Sequence, residues 1–251
     1  MTTVLVVVAH PDDETFGCGS SLLHAAERGA RTVVVCATRG EAGEVRAGVD
    51  APDGVAALRE AELRASADLL GVGEVEVLDF VDSGMGGEAG PATLVGAPDD
   101  QVREAVRSAI DRHHPDVVIT LDGGDGHRDH LRVREAVEQV LAGTSTVLYL
   151  HCLPRSLMHA WVRHHAGDQD AAAYTELPAI GTPDDELTTV LETGRFLAER
   201  DAAIALHRSQ VSPFEGLPDE LRRAFLGNEH LIRVHPAWTG GERETELTGL
   251  A

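Results

Sequence analysis

The chain has no lysine: all 21 of its basic residues are arginine. That excludes a lysine Schiff base or a lysine general base from its chemistry. Set against 42 acidic residues, the arginines leave a formal charge of −21. Nucleic acid and anionic membranes both demand a basic surface, so neither is expected as a partner. Three cysteines, Cys18, Cys36 and Cys152, are too few and too scattered for a disulfide framework. No stretch approaches the roughly 18 to 20 continuous apolar residues of a membrane span. The opening apolar run lacks the basic flank and cleavage site of a signal peptide, which gives the expectation of a soluble, cytoplasmic protein.

What is present is a full core's worth of apolar residues, 43% of 251, enough for a single domain. We expect a core over 1–152 and a C-terminal elaboration over 153–251. Within the core, apolar runs and amphipathic stretches alternate. The pattern predicts strands over 3–9, 32–37, 76–80, 116–121 and 146–150. Between them it predicts helices from about 15 to 28, over 55–70, from Asp99 or Asp100 as cap to about His113, and to about Leu141. The segment 81–98, rich in glycine and proline, reads as a long loop, and such loops are often functional. Repeated strand, helix, strand units imply a Rossmann-like α/β fold, a mostly parallel sheet with helices on both faces. Beyond Cys152 the pattern predicts a helix over Pro183–Leu206 capped by Thr182, a loop and short helix over 213–223, and a last strand over 230–234.

Two clusters of ligand-type residues fall just beyond strands. His10-Pro11-Asp12-Asp13-Glu14 follows the first, and Asp122-Gly123-Gly124-Asp125-Gly126-His127-Arg128-Asp129-His130 follows the fourth. In open α/β sheets that edge is where ligands bind, so the clusters should face each other. A glycine fingerprint is missing from the first strand–helix turn, which discards a dinucleotide-binding reading. His10 and Asp13, three apart, share a face if the chain turns helical, and His130 would complete a set of two histidines and a carboxylate. That donor set belongs to hydrolytic zinc, with iron(II) as the alternative. Asp12 should point away from Asp13 and serve as the base for a metal-activated water. His127 would stabilise the oxyanion or protonate the leaving amine. Asp129 would orient an imidazole, either His127 or a ligand histidine.

Taken together, these clusters resemble the PIG-L/LmbE-like family of zinc-dependent de-N-acetylases. The resemblance continues through Thr38-Arg39-Gly40-Glu41-Ala42-Gly43-Glu44-Val45, Arg59-Glu60-Ala61-Glu62, Leu70-Gly71-Val72, Asp82-Ser83-Gly84-Met85 and His207-Arg208-Ser209-Gln210, in order. Arg128 stands where many members have proline. The resemblance implies His10, Asp13 and His130 as metal ligands, Asp12 as general base, and His127 as catalytic histidine assisted by Asp129. It also implies that Glu41, Glu44, Arg59 and Asp82 hold sugar hydroxyls. The expected activity is hydrolysis of an N-acyl group, acetyl first, from an amino sugar or glucosaminyl small molecule, in a chain compatible with a homo-oligomer. An amidase acting on a mycothiol-type thiol conjugate or on a natural-product intermediate is the alternative.

Several of these residues have plainer readings. Asp is a good helix cap, and arginine on an amphipathic helix, as at Arg59, is usually solvated or ion-paired. Asp82 also suits a turn before Gly84. His207, near a helix C-terminus, complements the dipole as well as it serves a substrate or an interface. His113-His114 and His164-His165 read as surface.

Overall fold

Every residue of the first strand, β1 (Thr3–Val8), is buried, as a run of Val and Leu in the middle of a parallel sheet should be. Val4, Val6 and Val8 pack on one face with Leu22 and Leu63. Leu5, Val7 and Ala9 pack on the other with Val106 and Val133, the two-residue alternation of a strand. The computed structural model of the chain describes residues 1–174 and 180–250, positions 166–174 by backbone alone.

Strands β2 (Arg31–Cys36), β3 (Glu74–Val77), β4 (Val117–Leu121) and β5 (Val147–His151) run parallel to β1. Strands β6 (Thr189–Glu192) and β7 (Asn228–His235) extend the sheet antiparallel beyond β5, in the order β3-β2-β1-β4-β5-β7-β6. Helices α1 (Asp13–Phe16), α2 (Gly19–Glu27) and α3 (Val55–Leu69) lie toward one face, and α4 (Asp99–His113) and α5 (Arg128–Leu141) toward the other. The Rossmann-like expectation therefore holds. From β1 the chain winds to β2 and β3 on one side, then returns to β4 and β5 on the other. The C-terminal ends of β1 and β4 are consequently the switch point, where an α/β sheet opens a crevice.

The C-terminal part departs from its sequence reading. The helix expected over 183–206 is instead β6, a 3-10 turn at Gly194–Phe196 and α7 (Leu197–Ile204). Thr188, Thr189 and Val190 are β-branched, and β6 pairs with β7 through Thr189–Leu231 and Val190–His230, so strand pairing overrides the helical pattern. Thr182 caps nothing: its hydroxyl bonds Asp122 and its N–H bonds the Leu153 carbonyl at 2.8 Å. Helix α6 (Arg155–Tyr174) was not expected, and the short helix falls later, at α8 (Asp219–Leu226). His113 is not a surface residue: it is buried and its Nε2 meets Glu76 at 2.8 Å. Among the described residues no helix is long and apolar enough to cross a membrane.

Candidate active site

Beyond β1 the chain turns sharply through Asp12, whose φ of 124° is rare for any residue but glycine. Two partners hold that turn. The Asp12 N–H donates to Glu14 Oε2 at 2.9 Å, and Arg59 Nη2 donates both to the Pro11 carbonyl at 2.6 Å and to Asp12 Oδ2 at 3.0 Å. The adjacent aspartates consequently diverge, Asp12 toward Arg59 and Asp13 toward the histidines.

Four donor atoms of three residues then converge, one ring nitrogen from each histidine and both Asp13 oxygens. His10 Nδ1 lies 3.5 Å from Asp13 Oδ2, His130 Nε2 lies 3.3 Å from Asp13 Oδ1, and the two ring nitrogens are 3.3 Å apart. Tetrahedral ligands about 2.0–2.2 Å from a zinc ion are about 3.3–3.6 Å from one another; the ring-nitrogen pair at 3.3 Å matches that spacing, and each ring has one Asp13 oxygen at 3.3–3.5 Å. Each histidine gives its other nitrogen to a carboxylate: His10 Nε2 to Asp129 Oδ2 at 3.1 Å, His130 Nδ1 to Asp125 Oδ2 at 2.7 Å. That arrangement turns a lone pair from each ring toward the convergence point. Burial opposes charging His130, yet Asp13 and Asp125 outweigh it and push its pKa up to about 10. The spot favours positive charge.

Of the two alternatives for Asp129, its carboxylate takes His10 and also accepts the Ser83 N–H at 2.9 Å. His127 receives no carboxylate oxygen from it. Instead the Asp129 backbone N–H donates to His127 Nδ1 at 3.2 Å, with His127 as N-cap of α5. In the neutral ring the proton then sits on Nε2. Burial and the neighbouring His10 and His130 lower the His127 pKa, keeping the ring neutral. Burial pushes the Asp12 carboxyl up to about 6 against the pull of Arg59.

A cavity of about 890 Å³ lies over the donor set and is also lined by Asp12, His127, Glu44, Arg59 and Asp82. Glu41 is not among its lining residues; its carboxylate accepts the Asp82 N–H at 3.1 Å. Arg59, 4% exposed, is committed to building the turn, since its Nη1 also takes the Gly40 carbonyl at 2.9 Å. Gly40, at φ +67°, and Gly43 are glycines because a Cβ at either would run into that guanidinium. Asp82 accepts the Gly84 N–H at 2.8 Å and lies 3.4 Å from His10 Nε2. Arg128 gathers the carbonyls of Ser83, Gly84, Gly86 and Gly87 and so pins the loop after Asp82.

The His207-Arg208-Ser209-Gln210 segment is a fastening. Ser209 gives its N–H and hydroxyl to Glu62 at 3.0 and 2.6 Å, and His207 is buried against Glu14 and Ser66, outside the cavity lining. Two residues escaped the sequence reading. Asp125 lay in the second cluster without an assigned role. His151, the last residue of β5, lines the cavity beside Gly17 and Leu121, and burial drives its pKa down to about 3. Its place at the same strand edge as His10 was the available signal.

A family model described as PIG-L, GlcNAc-PI de-N-acetylase, matches residues 5–141. The 1D-myo-inositol 2-acetamido-2-deoxy-alpha-D-glucopyranoside deacetylase of Kineococcus radiotolerans is 32% identical over 97% of this chain and 81% of its own length. Among solved structures, the N,N'-diacetylchitobiose deacetylase of Pyrococcus horikoshii aligns at TM-score 0.61 and 19% identity, over 93% of this chain and 84% of that one. The 4-carboxy-2-hydroxymuconate hydratase of Pseudomonas putida aligns at TM-score 0.63 and 19% identity, over 96% and 99%. Two reactions on one architecture mean that these structural likenesses speak for the fold alone.

Proposed function

The chain belongs to the PIG-L family of GlcNAc-PI de-N-acetylases, and on that premise we propose that it removes the N-acetyl group of a glucosaminyl-inositol type of substrate. It is a hydrolytic de-N-acylase of amino sugars. His10, Asp13 and His130 would hold the metal, zinc before iron(II), because two imidazoles and a carboxylate brought together are the donors of hydrolytic zinc. When bound, the ion supplies Lewis-acid polarisation and acidifies a water for attack near neutral pH.

The chain's own groups do the rest. Asp12, turned away from the ligands and held by Arg59, accepts the proton of the attacking water, and its pKa of about 6 suits a base near neutrality. His127, with Nδ1 occupied by the Asp129 N–H, presents an Nε2–H that stabilises the negative charge developing on the amide oxygen. Asp12 then returns its proton to the departing amine. Asp129 and Asp125 hold the two ligand rings in orientation, and Glu44 and Asp82 give the cavity a polar wall for sugar hydroxyls beside Arg59, which stays with the turn.

One observation carries this reading: two ring nitrogens 3.3 Å apart each have an Asp13 oxygen at 3.3–3.5 Å, each histidine backed by a second carboxylate, in a cavity shared with Asp12 and His127. The test is acetate release from N-acetylglucosamine and from its α-linked myo-inositol conjugate. Chelation should abolish it and added zinc restore it. Release that survives complete demetallation, or no release from either compound, defeats the reading.

A further inference from the structure

We propose that the same cavity holds a second, apolar subsite that seats an alkyl or aryl substituent carried by the amino-sugar substrate. The inference rests on the amino-sugar reading above and adds to it the substrate's apolar part. The lining has two parts. Glu44, Arg59 and Asp82 come from segments following β2 and β3, on one side of the β1–β4 switch point. A second part of the lining is apolar: Met158 and Trp161 of α6, with Phe214 and Phe225 from the C-terminal elaboration.

The chain has nine aromatic residues besides histidine, five Phe, two Trp and two Tyr. Four of them, Phe16, Trp161, Phe214 and Phe225, line this one cavity. They belong to a small helical core with Ile204, Leu217 and Leu226, and the side of that core turned to the cavity is aromatic. They form one surface: Phe16 meets Phe214 edge-on at 6.4 Å, Phe214 meets Phe225 at 5.8 Å, and Trp161 Nε1 is tied to the Pro213 carbonyl at 2.7 Å. Phe16 lines the same cavity as His10, Asp12, Asp13 and His130. A second observation comes from the rim, where Met85 is 71% and Val211 66% exposed, both bordering the same cavity. An apolar ligand group seated there would cover both.

A polyol presents hydroxyls on every edge, and hydroxyls laid against Phe214 or Trp161 lose water without gaining partners. An alkyl or aryl group loses nothing there. The cavity of about 890 Å³ has room for it, near the upper end of the roughly 300–1,000 Å³ that holds drug-sized ligands. The apolar group has two sources, the N-acyl chain or the aglycone.

Zinc-loaded full-length protein is titrated calorimetrically with N-acetylglucosamine, with its phenyl and hexyl glycosides, and with N-hexanoylglucosamine. Binding at least about tenfold tighter is expected in one arm, the gain from burying a few methylenes, and the arm that gains names the source. Trp161→Ala or Phe225→Ala should remove most of the ratio between the apolar probe and N-acetylglucosamine, an internal comparison that separates subsite loss from general damage. Both arms within about twofold of N-acetylglucosamine, or a ratio that survives both substitutions, overturns the subsite. Acyl release from the same compounds is measured in parallel: its absence from all of them refutes the hydrolase reading, while the binding ratio still decides the subsite.

Discussion

His207 donates its Nε2–H to Glu14 Oε1 at 2.8 Å while the other oxygen of that carboxylate accepts the Asp12 N–H at 2.9 Å. A buried histidine outside the cavity lining is thus two hydrogen bonds from the proposed base, and it reaches the backbone at the one residue whose φ is 124°. Burial works against charge on His207, but Glu14 outweighs it and raises the pKa; Glu14 in turn is held low by His207 despite its own burial.

Replacing His207 by alanine strands a buried carboxylate. The expected cost is about 3–5 kcal/mol of stability, the range for breaking a buried pair, with kcat falling about 10- to 100-fold as the turn at Asp12 relaxes. The sign of the pH effect follows from the raised pKa: the histidine's contribution is complete below its unfolded value of about 6.5 and is lost as pH rises through the higher folded one. Urea unfolding of the parent and His207→Gln from pH 6 upward should show the stability gap narrowing. A constant gap means that the ring is neutral in the fold throughout.

The proposed ligands and the proposed base separate by metal content. His10→Ala and His130→Ala should lose both bound metal and turnover. Asp12→Asn keeps the shape of the side chain and should retain metal while losing about 10²- to 10⁴-fold in kcat. Metal analysis alongside acetate release decides it, and loss of metal from Asp12→Asn would place Asp12 among the ligands instead.

How much of this was legible in the sequence depends on how locally each feature is determined. The parallel half of the sheet could be read because Val4 to Val8 and Val33 to Val35 are runs that only a doubly covered strand accommodates. The meeting of His10, Asp13 and His130 could be read because they lie just beyond the ends of the adjacent strands β1 and β4, Asp13 and His130 in the first turns of α1 and α5. Arg59 is different: a helical arginine reads as solvated, and only the tertiary fold lays it across Gly40 and Gly43 to meet Pro11 and Asp12. His207 and Glu14, and Ser209 and Glu62, meet across more than 140 residues of chain, a distance that no local periodicity encodes. The segment 183–206 misled for the same reason, since its strand exists only through pairing with β7.

His127 donates in the proposed mechanism from a fixed tautomer, so shape without the donor should fail. His127→Ala is expected to lower kcat by about 10²- to 10³-fold, the range for removing one oxyanion donor, with KM changed far less. His127→Gln, which can still donate an N–H, should recover part of the loss. A substitution that raises KM alone would make His127 a ground-state binding residue.

Arg128 holds the loop from Ser83 to Gly87 by its carbonyls, and that loop supplies the Ser83 N–H to Asp129. Arg128→Ala should speed proteolytic cleavage within residues 83–87 and destabilise the chain by about 1–3 kcal/mol. Equal cleavage rates in parent and variant would show that the loop is held by other contacts.

Glu229 lies behind the cavity wall, 3% exposed, with Oε2 3.8 Å from Arg200 Nη1 and Oε1 3.8 Å from His151 Nε2. Burial pushes its pKa from 4.5 up to about 7, with Arg200 only partly opposing. The folded state therefore binds this proton more tightly than the unfolded one. Its penalty is absent below about pH 4.5, grows as pH rises toward about 7, and is constant above. A shift of that size corresponds to about 3 kcal/mol. Glu229→Gln carries no such proton, so its stability relative to the parent should improve by about that amount between pH 4.5 and 7.5 in paired urea titrations. If the difference is flat across that range, the carboxylate is ionised in the fold, and the Arg200 pair rather than burial governs the charge behind His151.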